Sequence, residues 1–147
     1  MNELEKLCAR MLGVLQQLEL ILVEEQRLLS AGQVNAALLH RVTENKNEQL
    51  ATLQYLDDQR QNAARGQGLT ESAYGQYPEL QHLWQTILRL TAGLSRNNTR
   101  NGLLLNQHLK QNQEILAVLE AHQARRSLYG PDGQAQNSHI LGRKFSV

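Results

Sequence analysis

The sequence predicts an all-α protein: an antiparallel three-helix bundle or coiled coil with one extended C-terminal helix and a flexible tail. Three observations carry this. Leucine supplies 28 of the 147 residues and recurs at helical spacing. Val, Ile and Thr together number 16 and the aromatics 6, too few for a sheet core. Glycine and proline cluster or coincide with polar turns at Gly32, across 66–78 and from Gly130 onward, which leaves three long stretches broken only by the isolated Gly13, Gly93 and Gly102.

The first stretch, about Asn2 to Ala31, reads as heptads with Leu4, Met11, Leu18 and Glu25 at a, Leu7, Val14, Ile21 and Leu28 at d, and Cys8, Leu15, Leu22 and Leu29 at e. Eleven of these twelve are apolar, a stripe broad enough to touch two neighbouring helices. Ser30-Ala31-Gly32 ends it, with Gly32 in the left-handed position past the helix.

The second helix starts at Asn35, a good N-cap, with Val34 and Leu39 placed as a hydrophobic staple. Its seam is Leu38, Leu39, Val42, Leu50, Leu53 and Leu56. The stretch Thr43 to Gln49 is wholly polar, so the stem of Lys46 or Asn45 must bridge the seam there. Gly66-Gln67-Gly68 breaks the helix near Arg65. The connection that follows allows at most a short turn from Thr70, and Tyr74 and Tyr77 are placed to pack over the bundle end.

Pro78 suits the first turn of the third helix, where its missing N–H costs nothing. The stripe Leu80, Leu83, Ile87, Leu90, Leu94, Asn98, Asn101, Leu105, Leu109, Asn112, Leu116, Leu119 then continues for about 48 residues, roughly 70 Å. The other two helices reach only roughly 45 Å. In an up-down-up bundle the surplus, near 108–126, projects past its partners, and an exposed apolar surface of that kind marks an interaction site. The domain reading is therefore a helical unit over 1–126 and a tail over 127–147, the tail ending in a sticky Ile140, Leu141 and Phe145.

Fifteen basic against fourteen acidic residues give a net charge of +1, which is no global footprint for nucleic acid or membrane. Residues 1–34 sum to −2 and residues 121–147 to +3, so the C-terminal end is the basic one. A lone Cys8, an acidic polar N-terminus and apolar runs as short as Leu20 to Val23, none longer than five residues, point to a soluble cytoplasmic protein without membrane insertion.

The chain carries no phosphate loop, zinc spacing or nucleophile elbow. Glu79-Leu80-Gln81-His82 matches one Glu-x-x-His element of a di-iron bundle, but a second is missing, so no metal, cofactor or catalytic residue is assigned. Cys8, at an e position among leucines, reads as a small buried hydrophobe. Trp84 and Tyr55 read as packing residues. Arg96 to Gly102 is basic and amide-rich; without interleaved aromatics it reads as a polar layer that sets register and not as a nucleic-acid site.

Asn98-x-x-Asn101-Gly102-Leu103-Leu104-Leu105, followed by Leu116-x-x-Leu119 and Leu128-Tyr129-Gly130-Pro131-Asp132-Gly133-Gln134, resembles the FlgN family of flagellar type III export chaperones. The Leu-rich first helix, the Asn35-Ala36-Ala37-Leu38 start and Lys46 fit the family layout more loosely. The resemblance implies a cytoplasmic, non-enzymatic chaperone. Its clients are the flagellar hook–filament junction proteins, whose C-terminal segments it holds and delivers to the flagellar export gate. Set on the patterning above, it places client binding at Leu105, Leu109, Asn112, Ile115, Leu116, Val118 and Leu119. It associates Tyr129 with docking to the export gate; the alternative is that Tyr129 covers the end of the long helix. A second reading of the whole chain is a structural helical adaptor that homo-oligomerises through the C-terminal helix. A homodimer in the absence of client is compatible with both.

Overall fold

A computed structural model describes residues 2–123. It contains α1 (Asn2–Leu29), α2 (Ala36–Gly66), a 3-10 turn (Glu71–Gln76) and α3 (Pro78–Gln123). The all-helical fold class is as the patterning predicts. The helices run up, down and up, so α3 is parallel to α1 and antiparallel to α2.

Each helix boundary has a local cause. α1 stops at Leu29, two residues before the predicted end, with the Ser30 N–H bonded to the Gln26 carbonyl at 2.8 Å. Gly32 does not take the left-handed conformation predicted for it, because the chain has already left the helix three residues earlier. Asn35 caps α2 as expected, its Oδ1 accepting the Leu38 N–H at 3.1 Å. The left-handed glycine is Gly68, at φ 64°. It closes α2: Leu69 N–H donates to the Ala64 carbonyl at 2.8 Å and Gly68 N–H to the Arg65 carbonyl at 3.0 Å, a Schellman pair.

α1 is the spine. It packs against both other helices, whereas the Cα atoms of α2 and α3 stay more than 8 Å apart. Leu4, Cys8, Met11, Leu15, Leu18 and Leu22 are buried on it and meet Leu50, Leu53 and Leu56 of α2 and Leu80, Trp84, Ile87 and Leu94 of α3 in one core. α2 and α3 reach each other through long side chains. At the lower end, Arg60 of α2 is ion-paired with Asp57 (2.9 Å) and Glu71 (3.1 Å) and donates to the Tyr74 hydroxyl at 2.9 Å. Its guanidinium carbon lies 4.1 Å over the Trp84 ring, which Tyr74 meets edge-on at 5.6 Å. Tyr74 thus covers the bundle end as predicted, while Tyr77 is exposed.

Burial fixes the chemistry of Cys8. The surrounding leucines push its thiol from 9.0 up to about 11, with the neighbouring Arg60 charge opposing the rise. Burial raises the Tyr74 hydroxyl in the same direction, against its bond to Arg60. Arg60 itself pays for burial, but Asp57 and Tyr74 outweigh that and hold it charged.

At the upper end the polar layer anticipated around Asn98 and Asn101 is present. Lys46, with under a tenth of its surface exposed, fills the gap in the α2 seam; Asn45 is exposed and does not. The Lys46 ammonium donates to Glu25 Oε2 at 2.8 Å and to Asn98 Oδ1 at 3.0 Å. Asn101 Nδ2 donates to Glu25 Oε1 at 3.0 Å and to the Leu22 carbonyl at 2.9 Å. Glu25, the one polar residue in the heptad positions of α1, is therefore bonded from both other helices.

Two predictions follow from this packing. Lys46→Met strands a buried carboxylate and is expected to cost about 3–5 kcal/mol in urea unfolding, whereas Glu25→Leu/Lys46→Met costs well under the sum of the two single changes. Cys8 in the folded chain is expected to resist thiol reagents at pH 8 and to react once urea unfolds it. Its pKa is raised by folding, so the associated stability is complete below pH 9 and lost as pH rises toward 11; the urea midpoint falls over that window, and by less in Cys8→Ala.

Candidate functional site

The register of α3 against α1 is set at two points one heptad apart. Asn101 bonds the Leu22 carbonyl, and His108 Nε2 bonds the Leu29 carbonyl at the last turn of α1. With α1 ended at Leu29, the 15 residues of α3 past His108, roughly 22 Å, extend beyond it. Past Asn101 no described side chain on α3 is buried. The projection expected from helix lengths is thus the arrangement found, and it begins where His108 caps the carbonyl end of α1.

The predicted client-binding residues divide by position around the helix. At about 100° per residue, Leu105, Leu109, Asn112 and Leu116 fall within about 60° of arc, in line with the face that carries the core upstream. Leu105, Leu109 and Leu116 are half-buried and Asn112 is exposed. Val118, 58 % exposed, lies about 160° around the helix from Leu116. One docked helix cannot cover both, so Val118 stands apart from the stripe. Ile115 and Leu119 lie on α3 between these positions, and their side chains are outside the described residues. Tyr129 and the tail that holds it also lie outside them.

The same end of the bundle carries a feature that the sequence reading missed. Leu38 and Leu56 are eighteen residues apart on α2, five full turns, and so share one side of the helix. Leu56 is 1 % exposed and Leu38 39 %. Thr91 and Leu109 stand in the same relation on α3, the first buried and the second half-buried. Above the polar layer Leu38, Val42, Leu105 and Leu109 are thus all half-buried or exposed, where residues five turns lower on the same sides are buried.

The remaining candidate chemistry is dispersed. Among the described residues no group of three or more His, Cys, Asp and Glu side chains could hold a metal ion, and Glu79 and His82 both face solvent. Asn98 and Asn101 are buried in the polar layer, while Arg96 and Arg100 beside them are exposed. No helix among the described residues is long and apolar enough to cross a membrane. What this end of the molecule offers is an apolar, amide-dotted surface suited to a helical partner.

Comparison with known proteins names a family. The model of the family described as FlgN protein matches residues 1–137. A flagella synthesis protein FlgN of Yersinia enterocolitica is 41 % identical over 136 residues, 92 % of this chain and 91 % of the relative. The protein of that name from Salmonella typhimurium is 39 % identical and the one from Escherichia coli 34 % identical, each with all of both chains covered. No solved structure matches. A family model that spans most of the chain, with relatives aligned along their whole length, places this chain in the FlgN family of flagella synthesis proteins.

Proposed function

We propose that this chain is an export chaperone of flagellar assembly. It binds the C-terminal segments of the hook–filament junction proteins in the cytoplasm, keeps them from premature assembly or degradation, and delivers them to the flagellar export gate. Family membership supports the flagellar role. The observation that carries the chaperone role is the run of α3 past the His108–Leu29 contact, which carries Leu109, Asn112 and Leu116 on one face, none of them buried among the described residues.

The physical fit is direct. A client helix that lays an apolar face on this stripe continues the leucine packing of the bundle. The gain scales with the apolar area removed from water, at about 25 cal/mol per Å². Ordering the client offsets much of it, so binding stays reversible, as a segment destined for export requires. Asn112 asks for a hydrogen-bonding partner on the docked helix, much as Asn101 finds Glu25 on α1, and so contributes to choice of partner. No step of this job needs a nucleotide, a metal or a covalent intermediate. Within this reading the helical unit over 1–126 holds the client, and the 127–147 tail, through Tyr129, docks to the gate.

Isothermal titration with a peptide of the junction protein's C-terminal segment tests the site. Leu109→Asp and Leu116→Asp are each expected to weaken binding about tenfold or more, a change of about 1.4 kcal/mol or more. Leu20→Asp, on the exposed outer side of α1, is expected to bind like the unchanged chain. Equal affinities for all four proteins overturn the proposed surface. Sedimentation of the chain alone separates the chaperone from an adaptor that pairs with itself, since an obligate dimer burying 109–123 leaves no surface for a client.

A further inference from the structure

α3 carries a second row of side chains, on the side opposite Leu105, Leu109 and Leu116. Arg89, Arg96, Leu103 and Lys110 follow one another at intervals of seven residues, and Arg100 stands one turn past Arg96. At about 100° per residue the five fall within about 80° of arc, centred about 170° around the helix from the Leu105–Leu116 stripe. All five are exposed, Leu103 at 61 %.

The row has no carboxylates of its own. Residues 80–113 contain no Asp or Glu, although residues 2–123 as a whole hold 13 acidic side chains against 11 basic ones. Among the described residues none of Arg89, Arg96, Arg100 and Lys110 is ion-paired; the Arg100 guanidinium reaches the side-chain oxygen of Asn101 at 3.3 Å. Arg96 and Arg100 are like charges one turn apart, an arrangement that weakens a helix by itself. Carboxylates laid along the row remove that repulsion. The spacing says what shape should carry them. A row of period seven follows the shallow left-handed path along which a second helix packs. Leu103, apolar and in the middle of the row, suits a side chain of a protein and has no counterpart in a phosphate backbone.

We infer that this row is a docking surface for an acidic amphipathic helix of a partner protein, its carboxylates set against Arg89, Arg96, Arg100 and Lys110 and an apolar side chain resting on Leu103. The surface is separate from the stripe at Leu109 and Leu116, so one partner can occupy each at the same time. The inference rests on the charge and spacing of the row and not on the chaperone reading.

Fluorescence anisotropy with the full chain and a labelled helical peptide of about 24 residues provides the test. The peptide carries glutamates at the spacings of the four cations and one leucine at that of Leu103. It is expected to bind at low salt. Binding is expected to weaken about tenfold or more at about 0.5 M NaCl, in Arg96→Glu/Arg100→Glu, and when the peptide's glutamates are replaced by glutamines. Leu103→Gln is expected to weaken it about threefold or more, and Leu109→Asp/Leu116→Asp to leave it unchanged. Absence of binding to the unchanged chain overturns the inference, as does equal binding by Arg96→Glu/Arg100→Glu or by Leu103→Gln in variants that keep their helical circular dichroism. Tighter binding of a single-stranded DNA oligonucleotide of equal charge overturns it in favour of a nucleic-acid surface. Self-association in sedimentation that is lost in Arg96→Glu/Arg100→Glu overturns it in favour of a second copy. None of these measurements involves a client, so failure of the proposed function would not be mistaken for failure of this surface.

Discussion

An ammonium and a carboxylate taken out of water together are tolerated only when each finds the other at hydrogen-bonding distance. In this bundle that condition links all three helices, because Lys46 comes from α2, Glu25 from α1, and Asn98 and Asn101 from α3. Leucine seams are degenerate: Leu50, Leu53 and Leu56 would pack nearly as well after a slip of one heptad. Such a slip carries Lys46 away from Glu25 and leaves two buried charges unpaired. The polar layer therefore selects one register among several of similar apolar burial.

Everything at the upper end depends on that choice. Once Glu25 is level with Asn101, the last turn of α1 is level with His108, and the length of α3 beyond it is fixed. The lower end is held by different means. Arg60 stacks on Trp84, bonds Tyr74 and is paired with Asp57 and Glu71, which ties the connection between α2 and α3 to the core. Above the polar layer Leu38, Leu105 and Leu109 are half-buried or exposed, whereas Leu56 and Ile87 below it are buried.

Much of this was legible residue by residue. Asn35 caps α2 because its side chain can reach an N–H two or three residues on, a local property. Lys46 was singled out because a polar run interrupted a seam; Glu25, the one polar residue in the α1 stripe, was given no role. The choice of Lys46 over Asn45 depended on which of them turned inward. The left-handed glycine was misplaced, at Gly32 in place of Gly68, because both sit past helix ends and only the path of the chain distinguishes them. Val118 was grouped with Leu116 on apolarity, although their two-residue spacing sets them nearly opposite on a helix. The meeting of Lys46 with Asn98 and of Arg60 with Trp84 was not foreseen, since spacing along each helix says nothing of the distance between two helices.

The sequence by itself determined the helices, their order, their lengths and the existence of a surplus on α3, because these follow from periodicity, caps and the 1.5 Å rise per residue. Only the tertiary structure decided which helix is the spine and which side chains meet Lys46 and Arg60. Those outcomes depend on distances between residues up to 79 positions apart in the chain, which no local pattern encodes.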